Sequence, residues 1–140
     1  MVGKRKPQQQ LTPLELEIMN VLWDYGPSNV QSVQEKLGGS PKLAYTTVQT
    51  MLNVLHRKGR VRRRLRGRAF DYAPALTRDT AARSAIGDMI DRVFGGSVDG
   101  LLMSLVKSQQ LDAKKLEELS GFLQEHERVA RKDKSNEPDQ

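Results

Sequence analysis

The chain begins with a polar stretch, and apolar residues at helical spacing follow it. Residues 1–10 are polar and basic, which predicts a flexible arm. Thr12, Pro13 and Glu15 then match the N-cap, the first helical position and the third position of a capping box. Apolar residues recur every three or four positions up to Gly26, a residue that favours helix ends. The pattern predicts a first helix between Thr12 and Gly26.

Two further helices are predicted before residue 60. Ser28 or Asn29 is expected to cap the second, whose apolar face ends at Gly38. The third spans Ala44 to Lys58, and no good N-cap residue precedes it. Gly59 marks the end of this helix clearly, whereas its start is less well defined.

The third predicted helix has two contrasting faces when its residues are placed about 100° apart. One face is apolar, and the opposite face carries almost no charge, although Lys and Glu are the usual residues of a solvated helix. The hydroxyl and amide residues on or beside that opposite face are Thr46, Thr47, Gln49, Thr50 and Asn53. Such side chains offer donors, acceptors and methyl groups that match base edges in a major groove. The face therefore predicts a base-reading surface, with chance composition as the alternative.

A short hairpin is predicted directly after the third helix. Phe70 and Tyr72 share a face at period two, and Gly67 suits a tight turn. The segment 57–68 contains eight cations and no acid: Arg57, Lys58, Arg60, Arg62, Arg63, Arg64, Arg66 and Arg68. Such a patch repels itself unless a polyanion neutralises it, which favours phosphate contacts over a merely solvated surface. Three helices followed by a basic hairpin predict a winged helix-turn-helix head over residues 11–76.

From residue 77 to residue 130 the apolar pattern is helical again. Gly95-Gly96 interrupts it, and Ser97 and Asp112 are expected to cap the helices that follow. The apolar stripes are wide for short helices, so we expect a second copy of the chain to cover them, with packing against the chain's own head as the alternative. The predicted dimer interface comprises Ile86, Met89, Ile90, Val93, Leu101, Leu105, Leu116, Leu119 and Leu123. His126 is expected at the edge of this interface rather than as a ligand.

The overall prediction is a mainly α fold with a small β-hairpin. It consists of the flexible arm, the winged-helix head, a helical dimerisation region over residues 77–130 and a disordered tail over residues 131–140.

Composition excludes several classes of function. No apolar run approaches the ~18 residues of a membrane span, and the start of the chain lacks the apolar core of a signal peptide. The absence of cysteine excludes disulfides and thiolate metal sites, and the two histidines lie far apart. No nucleophile triad, phosphate-binding loop or catalytic carboxylate pair is recognisable. We expect a soluble cytoplasmic protein that is not an enzyme and needs no metal or cofactor.

The net charge of +6 is unevenly divided along the chain. Residues 1–76 contain thirteen basic and five acidic residues, whereas residues 77–140 contain ten basic and twelve acidic residues. The positive excess therefore coincides with the predicted winged helix, which favours a nucleic acid as its partner.

Four stretches carry a resemblance to a known family. They are Leu11-Thr-Pro-Leu-Glu-Leu-Glu-Ile-Met-Asn-Val-Leu-Trp23, Leu43-Ala-Tyr-Thr-Thr-Val48 continuing to Lys58-Gly59, the wing end Phe70-Asp-Tyr-Ala-Pro74, and Val93-Phe-Gly-Gly-Ser97. From about Leu11 to Leu123 the chain resembles the penicillinase-repressor family, the BlaI/MecI/CopY type.

This resemblance implies a homodimer that binds an inverted-repeat operator in double-stranded DNA and excludes RNA polymerase from a promoter. The positions that match the family's recognition helix are Tyr45, Thr46, Thr47, Gln49, Thr50 and Asn53. The expected phosphate ligands are Arg57, Arg62, Arg63, Arg64, Arg66 and Arg68. Gln49 and Asn53 are expected to be the chief adenine readers.

Two departures from the family bear on regulation. The resemblance implies a sensor protease as a partner, which would cut an Asn-Phe bond after the Gly-Gly break. The corresponding stretch, residues 97–102, contains no Asn-Phe pair, so we do not expect release by that cut. The copper-responsive branch ends in a cysteine cluster, which this chain lacks.

Two other functions remain open on the sequence. A non-specific architectural DNA binder would use the basic wing without the hydroxyl and amide face. A winged helix that serves as a protein-interaction module would present its arginines to an acidic partner. Competition by random duplex distinguishes the first from a sequence-specific repressor, and the absence of any DNA binding indicates the second.

Overall fold

The structure, a computed structural model, describes residues 10–39 and 41–135. Within these ranges six helices and two strands follow one another along the chain. They are α1 (Pro13–Tyr25), α2 (Val30–Leu37), α3 (Tyr45–Arg57), β1 (Val61–Arg66), β2 (Ala69–Pro74), α4 (Arg78–Arg92), α5 (Val98–Lys107) and α6 (Ala113–Ser135). The mainly helical fold with one small hairpin is confirmed.

The first two helices begin at the predicted side-chain caps. The Thr12 backbone N–H donates to Oε1 of Glu15 at 2.8 Å, and the Glu15 N–H donates to Oγ1 of Thr12 at 3.2 Å. This reciprocal pair satisfies two backbone groups that a helix start leaves open. Asn29, one of the two predicted caps of α2, accepts from the Ser32 N–H at 2.8 Å. As expected, α3 begins after Ala44 without a side-chain cap.

The two strands form the predicted hairpin, which we call the wing (residues 61–74). They pair antiparallel with Val61 opposite Pro74 and Arg66 opposite Ala69, so that two residues form the turn. Gly67 has φ +64° at the first turn position, where a glycine is needed in one common type of two-residue hairpin. Ser28 adds a third extended segment by exchanging backbone hydrogen bonds with Tyr72 at 2.8 and 3.0 Å. The result is a winged-helix head.

The core of the head lies between the three helices and the base of the wing. Its fully or almost fully buried side chains are Ile18, Met19, Val21, Leu22, Val30, Val33, Val48, Leu52, Leu55, Val61 and Tyr72. The apolar faces of the helices and one face of the hairpin meet here. The opposite face of α3 is thereby left to solvent.

The described chain divides into two compact units between Met89 and Ile90. In the first unit, the start of α4 is attached to the end of α1. The Trp23 Nε1–H donates to the Leu76 carbonyl at 3.0 Å, and Arg78 pairs with Asp24 at 2.7 Å.

The second unit contains the predicted break and caps. The Gly96 N–H donates to the Ile90 carbonyl at 2.8 Å and closes the end of the helix. Ser97 accepts from the Gly100 N–H at 2.9 Å, and Asp112 accepts from the Lys115 N–H at 2.8 Å. These contacts confirm both predicted caps.

The boundary predicted for the C-terminal tail was wrong by five residues. Helix α6 continues to Ser135, because the charged residues that follow residue 130 are compatible with an exposed helix. The remaining tail, residues 136–140, lies outside the described residues. At the other end, residues 1–9 of the predicted arm also lie outside, while the Gln10 carbonyl accepts from Nζ of Lys58 at 3.3 Å.

Gln109 occupies a left-handed conformation between α5 and α6. Its φ is +64°, which costs a residue with a Cβ roughly 1–2 kcal/mol. We expect Gln109→Gly to raise the free energy of unfolding by about 0.5–1 kcal/mol, after the entropic cost of glycine is subtracted. Urea unfolding of the full chain measures the change. Gln110→Gly is the control and should lower stability, because Gln110 is not among the residues with positive φ; equal effects of the two substitutions would contradict the prediction.

No helix in the part of the chain that the structure describes is both long and apolar enough to span a bilayer.

Candidate nucleic-acid interface

The outward face of α3 is an exposed surface of hydroxyl and amide side chains, here called the reading face. It comprises Tyr45, Thr46, Thr47, Gln49, Thr50 and Asn53. The inward residues Val48, Leu52 and Leu55 are completely buried, which fixes the rotation of the helix about its axis. Five of the six reading-face residues are exposed, and Asn53 is half-buried. The fold therefore brings the predicted base-reading residues onto one surface.

Asn53 lies where the reading face meets the wing. Its Oδ1 accepts a hydrogen bond from the Tyr72 hydroxyl at 3.0 Å and a second from Nη1 of Arg63 at 3.4 Å. The periodicity of α3 predicts the outward position of Asn53 but not these partners, because they come from a different element. Tyr72 is only 2% exposed, and the alternation of the wing predicts its face but not its contact with Asn53.

The wing arginines divide between two faces of the hairpin. Residues opposite each other in the pairing share a face, and successive residues alternate. Arg63 is opposite Tyr72, so it lies on the face that turns towards the helices. Arg62, Arg64 and Arg66 lie on the other face together with Asp71, the residue opposite Arg64.

The two faces hold their arginines differently. The Arg63 guanidinium lies 4.5 Å from the centre of the Phe70 ring, a cation–π distance. On the other face, Arg66 approaches the Asp71 carboxylate at 3.5 Å but stays largely exposed. All six predicted phosphate ligands are exposed, and Arg63 contacts the reading face through Asn53.

Lys58, a cation of the basic segment, is directed into the protein. Nζ of Lys58 lies 2.9 Å from Oε2 of Glu15 and donates a hydrogen bond of 2.9 Å to Oε1. Glu15 is 1% exposed. Lys58 therefore joins the end of α3 to the start of α1 and contributes less to the basic surface than its sequence position suggests. The sequence signal was the spacing of Glu15 to Ile18 and Leu22, which places this acid on the buried stripe of α1.

The surroundings of Glu15 favour its charged form. Burial raises the pKa of this carboxyl, but the hydrogen bonds from Lys58 and from Thr12, together with the Lys58 charge, outweigh burial. The net result is a pKa below the ordinary value of 4.5. Glu15 and Lys58 therefore form a buried ion pair, in which hydrogen bonds from Lys58 and Thr12, rather than water, stabilise the carboxylate.

Apolar side chains remain exposed in both units. In the first unit Ile86 and Met89 are about half exposed on α4. In the second unit the exposed apolar residues of the predicted interface are Val93, Leu116, Leu119 and Leu123, while Ile90, Leu101 and Leu105 are half-buried. Further exposed apolar residues, which the predicted interface does not include, are Val98, Leu102, Met103, Val106, Phe122 and Val129. So much exposed apolar surface is typical of a protein-interaction site.

Within residues 10–39 and 41–135, no three or more His, Cys, Asp or Glu side chains form a group suited to a metal ion.

This chain is similar to several known proteins. A family model described as penicillinase repressor matches residues 11–125. The penicillinase repressor of Bacillus licheniformis is 27% identical over 117 residues, which cover 84% of this chain and 91% of that protein. The transcriptional regulator BlaI of Mycobacterium tuberculosis (strain CDC 1551 / Oshkosh) is 37% identical over 82 residues, 58% of this chain and 59% of that protein. Among solved structures, the Bacillus licheniformis BlaI monomer in complex with the blaP half-operator aligns with a TM-score of 0.43 and 33% identity, over 50% of this chain and 85% of that one.

Proposed function

This chain belongs to the penicillinase repressor family, whose members are DNA-binding transcriptional repressors, and we propose that it represses transcription as a homodimer bound to an inverted-repeat operator. Residues 11–76 bind one half-site in this proposal, and residues 77–130 hold the two subunits together. The observation that carries it is the exposed, uncharged reading face next to an arginine-rich wing. An architectural binder or a protein-interaction module needs no such face.

In the proposed complex, α3 enters the major groove. Gln49 makes a bidentate contact with adenine, and the exposed threonines contact thymine methyl groups or phosphates. The wing arginines contact phosphates, which fixes the position of the head without reading sequence. Two heads related by two-fold symmetry then read two half-sites in opposite orientation.

The proposed dimer interface uses the apolar residues that each unit leaves exposed. Apolar surface of this kind contributes about 25 cal/mol for each Å² removed from water, so covering it with a second copy is favourable. Covering the other exposed apolar residues of α5 and α6, among them Met103 and Phe122, is favourable for the same reason.

The proposal is tested by selecting bound fragments from the source genome with the purified full-length protein at moderate salt. We expect a recovered palindrome whose half-sites are separated by about one helical turn. Recovery of fragments without a common sequence would indicate an architectural DNA binder. Failure to retain any duplex at low salt would indicate a protein-interaction module.

Gln49→Ala and Arg64→Ala should affect binding in different ways. Loss of the Gln49 amide should relax the preference at one or two base pairs, by about 1–3 kcal/mol each, with an unchanged salt dependence. Arg64→Ala should weaken binding to all sequences alike. If about four cations in each subunit contact phosphates, the slope of log K against log salt is about −7 for the dimer, and Arg64→Ala makes it shallower by about 2.

Titrations of selected and scrambled duplexes at several salt concentrations measure both effects. Lys114→Ala is the matched control, because Lys114 is an exposed cation of α6 outside the wing. The slope of log K against log salt for Lys114→Ala should equal that of the unmodified protein. The same change in preference and slope from Gln49→Ala and Arg64→Ala would contradict the division between base and phosphate contacts.

A further inference from the structure

The side-chain amide of Asn53 is held by two donors from the wing. The Tyr72 hydroxyl lies 3.0 Å and Arg63 Nη1 lies 3.4 Å from the same oxygen, Oδ1. A guanidinium has no acceptor, so the amide atom that faces Arg63 must be the carbonyl oxygen. The two donors together fill the two lone pairs of that oxygen.

Both donors are themselves held in place. Tyr72 is 2% exposed, and its backbone N–H and carbonyl are bonded to Ser28. Its ring contacts Phe70 edge-on, with a distance of 6.3 Å between the ring centres. The Arg63 guanidinium in turn packs on the Phe70 ring, 4.5 Å from the ring centre. The orientation of the Asn53 amide is therefore set before any ligand arrives.

The opposite end of the amide is free to act on a ligand. Within residues 10–39 and 41–135, Nδ2 of Asn53 donates no hydrogen bond, and this atom is not buried. Gln49 and Thr50, one turn earlier on α3, are exposed on the same helix face. Asn53 thus presents donors alone to whatever contacts the reading face.

We propose that Tyr72 and Arg63 fix the Asn53 amide so that it recognises only hydrogen-bond acceptors on a base edge. Guanine presents two such acceptors, N7 and O6, and thymine presents O4. Adenine presents N7 beside its N6 amino donor, and the donors of Asn53 do not complement that amino group. The bidentate adenine contact expected from the sequence also needs a free carbonyl oxygen, which the two wing donors occupy. Tyr72 is then a positioning residue for base recognition, although it does not contact the base. This inference rests on the proposed DNA-reading function.

Two substitutions test the inference. Asn53→Asp keeps an oxygen towards Tyr72 and Arg63 but replaces the outward donor by an acceptor. The preference at one base pair should change to a base with an exposed amino group, cytosine or adenine. Tyr72→Phe keeps the buried ring but removes the hydroxyl, so the amide can also accept from adenine. Discrimination against adenine at that base pair should fall by about fivefold or more, while the preferences at other positions stay unchanged.

The experiment selects bound sequences from a random duplex pool with the full-length protein and compares base preferences position by position. A merely structural role of Tyr72 would lower affinity for all sequences and leave the preferences unchanged. Tyr25→Phe is the matched control, because Tyr25 is 62% exposed on α1, and its preferences should equal those of the unmodified protein. If Asn53→Asp binds no duplex, the comparison of Tyr72→Phe with Tyr25→Phe tests the inference alone. Equal base preferences of these two variants would then overturn it.

Two failures can be distinguished. If Gln49→Ala changes the selected sequence but neither the Asn53 nor the Tyr72 variant does, the inference is overturned and the proposed function stands. If the unmodified protein selects no sequence at all, the proposed function fails, and the inference fails with it.

Discussion

Leu119→Glu should convert the protein to a monomer and lower its affinity for a duplex with two inverted half-sites by about 100- to 10,000-fold. Leu119 is 48% exposed in the second turn of α6, where the proposed interface places it against a second copy. A buried carboxylate there has no cation to pair with in the predicted apolar seam, so its desolvation opposes association. The loss of affinity follows because one head then binds without the high effective concentration that its partner provides.

Sedimentation equilibrium and titration of duplexes with one or two half-sites measure this effect. Affinity for a single half-site should not change, because the head is intact. Gln124→Glu adds the same charge to α6 away from the predicted seam and should preserve both the dimer and its affinity. A Leu119→Glu protein that remains dimeric would refute the proposed interface.

Glu15→Ala should cost about 3 kcal/mol of folding free energy, a large part of the stability of a small domain. The substitution leaves Lys58 without its carboxylate and the Thr12 N–H without its cap. The lower end of the range for broken buried pairs applies, because the Lys58 side chain is 19% exposed and reaches water. The effect appears in urea unfolding of the full chain as a lower midpoint.

Glu17→Ala is the matched control, two residues further along α1 on its exposed side. It should change the free energy of unfolding by less than about 0.5 kcal/mol. Equal losses from the two substitutions would mean that the ion pair contributes nothing beyond helix propensity.

The same pair should make the head sensitive to acid. The pKa of Glu15 in the folded chain lies below its ordinary value of 4.5, because hydrogen bonds from Lys58 and Thr12 outweigh the effect of burial. A lowered folded pKa stabilises the fold above the unfolded pKa, and this contribution is lost as the pH falls through the folded value. The stability difference between the unmodified protein and Glu15→Gln should therefore be constant near neutral pH and shrink below about pH 4.5. A difference that is independent of pH down to pH 3 would contradict this assignment.

The helices and the wing follow from local sequence signals. The capping box at Thr12 and Glu15, the caps at Ser97 and Asp112 and the turn at Gly67 each involve contacts within a few residues, so their pattern is legible in the sequence. The rotation of α3 also follows, because its apolar stripe must be buried. The start of the tail was misplaced, since charged residues at the end of α6 are compatible with an exposed helix.

The long-range contacts could not be predicted. Lys58 belongs to the basic segment by sequence, but 43 positions separate it from Glu15, its partner. Likewise Asn53 has the position of a base reader, while the orientation of its amide depends on Tyr72, 19 residues away. Local periodicity determines which face a residue occupies, whereas the atom that a side chain presents depends on neighbours from other elements.

The ratio of dissociation constants for a selected duplex and a scrambled duplex of equal composition tests the central claim most directly. The measurement uses the full-length protein at physiological salt, where non-specific phosphate contacts are weakened. Reading by the α3 face predicts a ratio of about 1,000 or more in favour of the selected duplex. A ratio near one would contradict it, since the wing alone would then account for all the binding.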